Sequence, residues 1–139
     1  MDRSTAEPVQ GGARPSVRPE HALAGPLLTF DLAAEFAHLR AEPPYAEHRR
    51  NAKTLVKSDA FRIVAVALRA GVRFDEDDPR GHVGLVVHEG AVTVHVEAGD
   101  ASRNERLGTG GLGAIEPGNR WWAEADEDSL LLLHLGWPG

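Results

Sequence analysis

Residues 71–90 read GVRFDEDDPRGHVGLVVHEG: a glycine at each end, four consecutive acids at Asp75, Glu76, Asp77 and Asp78, and an alternating apolar run behind them. The acids invite a cation, because Ca²⁺ and Mg²⁺ take several carboxylates. Ion-binding loops, however, space their ligands and fold around a glycine, and consecutive side chains on extended backbone point to opposite sides. Four neighbours therefore do not converge, and the run reads as a solvated turn between strands, with Asp77 kept as the one alternative metal ligand. Behind it Val83, Leu85 and Val87 face one way while His82 and His88 face the other, and Glu89-Gly90 ends the strand.

The same period of two continues outward in both directions. Upstream, Ala52, Thr54 and Val56 form a short strand, and Phe61, Ile63, Ala65 and Ala67 alternate with Arg62, Val64, Val66 and Leu68 in another whose faces are both apolar. Downstream, Val92, Val94 and Val96 alternate with Thr93, His95 and Glu97, as in a strand buried on one face. Gly99 to Arg106 reads as a polar loop, Gly108 to Gly113 is glycine-rich, and strands follow at Trp121 to Ala125 and Leu130 to Leu135. One helix precedes them, capped by Asp31, with Leu32, Phe36 and Leu39 on one face and Pro43-Pro44 at its end. Residues 1–25 carry little bulky apolar surface to offset the entropy of ordering and read as a disordered tail. Residues 26–139 then form one all-β domain, a small barrel or sandwich with its core strands over 53–135.

The glycine spacing narrows this. The chain resembles the cupin superfamily, whose first motif runs glycine, five residues, His-x-His, three or four residues, Glu, six residues, glycine. Counted from Gly71, the two histidines fall on Asp77 and Pro79, the glutamate on Val83 and the closing glycine on Gly90. In the second motif, glycine, five residues, Pro-x-Gly, two residues, His, the positions Gly111 and Pro117 fit. Gly118-Asn119 stands for x-Gly, and the histidine position falls on Trp122, or on Trp121 if the turn is one residue shorter. Alternation favours Trp121 inside with Ala123 and Ala125, because the other phase buries Glu124. The resemblance implies a jelly-roll barrel, the double-stranded β-helix of the RmlC-like cupins, preceded by one N-terminal helix. It also implies a metal site whose four ligand positions have been lost, and it leaves activity open because the fold hosts many.

The candidate site follows from that frame. An indole at a former metal position suits stacking on a small apolar or ring-containing ligand, with Val83, Leu85 and Val94 around it; the competing role for Trp121 is to plug the barrel. His134 sits in a leucine run that allows either face, which makes it a candidate ligand-binding residue and the one candidate acid-base group. Asp77, His82 and His134 form the alternative metal set. The function expected is thus a metal-free binding or regulatory protein without a cofactor. The alternative is a cupin enzyme, either one holding a divalent metal ion through relocated ligands or a metal-free isomerase type.

Composition excludes several other classes. No cysteine is present, so thiolate metal sites and thiol catalysis are absent. A net charge of -6 opposes nucleic acid as main partner, and only His48, Arg49, Arg50 and Lys53 cluster as a basic group. Apolar stretches such as Leu130 to Leu133 are too short to cross a bilayer, and the first residues lack the apolar core of a secretory signal, so a cytoplasmic location is expected. Gly108-Thr109-Gly110-Gly111 lacks the Lys-Ser/Thr of a phosphate loop. The apolar second face of the Phe61 to Leu68 strand suggests a homodimer.

Overall fold

The computed structural model of the chain describes residues 27–75 and 81–137. The expected tail over 1–25 and the motif positions Asp77 and Pro79 lie outside the described residues.

Asp31 caps helix α1 (Leu32–Ala41) by accepting the Ala34 N–H at 3.2 Å, and Phe36 and Leu39 are its buried residues. Pro43 and Pro44 end that helix but also begin another, α2 (Pro43–His48). The sequence reading missed α2 because it treated proline only as a stop. In a first turn the missing N–H has no intrahelical partner to lose, and the fixed φ suits helix entry. Arg49, at φ 65°, turns the chain out of α2 into the first strand.

Among the described residues nine strands follow: β1 (Arg50–Lys57), β2 (Phe61–Leu68), β3 (Arg73–Phe74), β4 (His82–Glu89), β5 (Ala91–Ala98), β6 (Ala101–Gly108), β7 (Leu112–Ile115), β8 (Arg120–Ala125) and β9 (Ser129–Gly136). They form a five-stranded sheet, β1-β2-β9-β4-β7, and a four-stranded sheet, β3-β8-β5-β6, with every pairing antiparallel. Neighbours in space are rarely neighbours in sequence, as in a jelly roll. Between the sheets lies one apolar core that includes Val66, Val83, Leu85, Val94, Trp121 and Leu133. A second core forms where Phe36 and Leu39 of α1 pack on the outer face of the larger sheet, over Ala65, Ala67 and Leu130.

The expected polar loop over Gly99 to Arg106 is instead β6, paired with β5 from Ala91↔Gly108 to Ala98↔Ala101. It is an edge strand whose side chains are exposed on both faces except at Leu107, so no apolar alternation marks it in the sequence. Gly90 joins β4 to β5 at φ 100°, and a Cβ there would lie 2.5 Å from the Asp128 carbonyl oxygen. Only glycine suits that turn. Ser129 supports it from below: it is fully buried, and its hydroxyl accepts the Ala91 N–H at 3.1 Å and lies 2.7 Å from the Glu127 carbonyl oxygen.

Candidate functional site

Strand alternation decides what enters the barrel. In the larger sheet Val83 pairs with Ile115 on one side and Leu135 on the other, and all three point inward. In the smaller sheet Trp121, Ala123 and Ala125 are buried, whereas Trp122 is half-buried and Glu124 and Asp126 are exposed on the outer face. The inward tryptophan is therefore Trp121, at 4% exposure.

Val83, Leu85, Val94 and Trp121 come together in one cluster, as the sequence reading groups them. Their common state is close burial, from 0% for Leu85 to 7% for Val94. His134 does not join them. It pairs with Ile63 and Gly84 on the outer face of the larger sheet and is exposed, because Leu133 and Leu135 on either side of it take the two inward positions. Of the two faces the sequence allowed, His134 takes the outer one. His82 lies on the same outer face, and among the described residues no third His, Asp or Glu joins the two to hold a metal ion.

The cupin metal can be tested against the donors present. Two of its four ligand positions are described, at Val83 and at the inward tryptophan. A valine has no donor atom, and an indole offers an N–H but no lone pair for a metal. These residues do not fit the ion.

At the same end of the barrel Arg62 shares the inward phase of Val64 and Val66, a charged side chain on a buried face that the alternation announces and the sequence reading passed over. Its guanidinium carbon lies 5.1 Å from the Trp137 ring centroid, and its buried Nε has no hydrogen-bond partner among the described residues.

Open space occurs elsewhere, on the seam between the sheets. β1 and β3 are both edge strands, and the two residues of β3 cannot cover the eight of β1. Ala52, inward in phase because it pairs with buried Val66, is consequently left exposed. The result is a cleft of about 670 Å³, with Ala52, Val66, Val72 and Phe74 as its apolar lining and His48 and Arg50 among its polar residues. Its size suits a small organic ligand. Two hydrogen bonds latch the seam: Arg50 Nη1 donates to the Arg73 carbonyl at 3.0 Å and Arg49 Nη2 to the Ala70 carbonyl at 2.8 Å. On the opposite seam the turn after β6 is tied to β4 by Gly110 N–H to the Val87 carbonyl at 2.8 Å and Val87 N–H to the Gly111 carbonyl at 2.9 Å. The basic group His48-Arg49-Arg50 thus has a place, which the sequence did not reveal because Phe74 and Arg50 are neighbours only through the pairing of β3 with β8.

Outside the smaller sheet, His95 is held between Asn104 Oδ1 at 2.8 Å and Glu124 Oε1 at 2.9 Å, and Arg73 and Arg120 flank Trp122 at 4.4 and 4.9 Å from its ring centroid. These groups are paired with one another.

Among the described residues no helix is long and apolar enough to cross a membrane. No family model and no curated protein matches the chain. Solved structures do. A protein of unknown function from Streptococcus pyogenes, SPY1581, is similar over 89% of this chain and 99% of its own at 16% identity and a TM-score of 0.65. KdgF from Halomonas sp. is similar over 67% of this chain and 83% of its own, at 21% identity and a TM-score of 0.57. A cupin superfamily protein from Desulfitobacterium hafniense is similar over 66% of this chain and 81% of its own, at 12% identity and a TM-score of 0.59. At such identities likeness speaks for fold and not for activity. With two antiparallel sheets in jelly-roll order, an inward Val83 and Trp121 at the motif positions, and these neighbours, the chain has the cupin fold.

Proposed function

We propose that this chain is a small-molecule-binding protein that works without a metal centre in its barrel and seats its ligand in the cleft between β1 and β3. One observation carries this reading: Val83 and the inward one of the two tryptophans at the last ligand position, Trp121, are buried and offer a metal no lone pair, while the cleft combines an apolar lining with polar residues at its rim. Trp121, Val83, Leu85 and Val94 then serve to hold the sheets together, and the ligand contacts fall to Ala52, Val72 and Phe74, which keep accessible surface. A small apolar or ring-containing compound suits such a lining, since apolar burial supplies the affinity and a few polar groups fix orientation.

The test is fluorine NMR with 4-fluorobenzyl alcohol and 4-fluorobenzoate, two ring probes of nearly equal size, on the native protein and on Ala52→Trp. Ala52 is exposed, so a larger side chain there fills the cleft without displacing core. At least one probe is expected to bind the native protein and to lose its binding in Ala52→Trp. Failure of both probes to bind, or binding unchanged by Ala52→Trp, overturns the seat.

A homodimer is part of the same proposal, with its surface revised. α1 covers Ala65 and Ala67 on the outer face of β2, leaving Phe61 at 38% and, on β7, Leu112 at 65% exposure. Val86 and Leu112, in register across β4 and β7, are what remains for a second copy to cover.

A further inference from the structure

The cleft is apolar at its base and cationic around its edge, although the chain as a whole carries a net charge of -6. Arg50 lines it directly, with His48 beside it, and Arg49 and Arg73 lie at the latches of the same seam. Asp75 is engaged by Arg73 at 3.6 Å, and Glu42 accepts from Asn51 Nδ2 at 2.8 Å. Arg50 has no carboxylate partner among the described residues. Its Nη1 is held by the Arg73 carbonyl, which fixes the plane of the guanidinium, and its Nε and Nη2 donate to nothing described. That leaves one side of the fork free, two parallel N–H groups at the spacing of a carboxylate's two oxygens.

We propose, resting on the binding function above, that the cleft takes a small ring-bearing carboxylate, with the ring over Val72 and Phe74 and the carboxylate on the free Nε–Nη2 edge of Arg50. A monoanion matches this edge better than a phosphate dianion, because one guanidinium side is available. Lysine in place of arginine would keep the charge but lose the planar, two-point contact.

The two fluorinated probes differ mainly in carrying a carboxylate or a neutral hydroxymethyl group, so the comparison isolates the charge. The expected result is binding of 4-fluorobenzoate at about 1 mM, as the size of such a fragment allows. It should be about tenfold tighter than 4-fluorobenzyl alcohol, and weaker in 0.5 M NaCl. Arg50→Gln should remove that tenfold preference, and Arg50→Lys should restore part of it. Circular dichroism of both variants checks that the latch to Arg73 is not needed for folding, and Arg50→Lys carries the test if Arg50→Gln does not fold. Equal affinity for the two probes, both still abolished by Ala52→Trp, overturns the carboxylate while leaving the seat intact. Loss of the seat itself is reported separately by Ala52→Trp.

Discussion

His95 lies parallel to Trp122, with ring centroids 5.0 Å apart and planes 9° from parallel. The two are direct cross-strand partners on β5 and β8, so this stack fixes Trp122 on the outer face and sends its neighbour Trp121 inward, against Val96. A single strand phase thereby puts indole, rather than imidazole, where the cupin fold has its last metal ligand.

Removing the two tryptophans should therefore have unequal costs. Trp121→Ala opens a cavity among close-packed side chains and is expected to cost about 3–5 kcal/mol. Trp122→Ala forfeits a stack and two cation–π contacts at a half-exposed site, and about 1–2 kcal/mol is expected. Urea denaturation of both variants measures the difference, and equal losses contradict the assigned phase.

Gly90 and Ser129 make one structural unit. Gly90→Ala meets both an unfavourable φ and the Asp128 carbonyl, and is expected to lose about 2 kcal/mol or more. Ser129→Ala strips the buried Ala91 N–H of its side-chain acceptor, at about 1–3 kcal/mol. Because the residues touch, the double variant should cost less than the sum of the single ones. Strict additivity in thermal or chemical unfolding goes against this coupling.

His134, exposed on the outer face, should tolerate replacement. His134→Gln is expected to change stability by no more than about 0.5 kcal/mol and to leave binding of the fluorinated probes unaltered. A large loss of binding would return His134 to the site.

Leu112 is the test of self-association. Multi-angle light scattering should give twice the chain mass for the native protein and the single chain mass for Leu112→Lys, which places a charge on the remaining apolar patch. A native monomer contradicts the homodimer.

The sequence made the barrel legible wherever one strand face is buried. β4, β5 and β8 show the alternation, and the same rule gave the phase of Trp121; β2 and β9 read as strands apolar on both faces. β6 escaped because a solvated edge strand has no apolar face, and α2 because proline can open a helix as well as close one. At the site, Val83, Leu85, Val94 and Trp121 were legible as a group, since each faces inward on its strand. The cleft was not, because it arises from a difference in length between β1 and β3, and Phe74 belongs to a two-residue strand that exists only through its pairing with Ala123 and Glu124. His134 was ambiguous because leucines fill both phases of β9: Leu131, Leu133 and Leu135 inside, Leu130 and Leu132 under the helix.

The central claim is that this cupin barrel does its work without a resident metal ion, and the metal content of the purified protein tests it most directly. Elemental analysis after exhaustive dialysis against metal-free buffer is expected to find Fe, Mn, Ni and Zn each far below one equivalent per chain. A stoichiometric amount of any of them, retained through dialysis, contradicts the account.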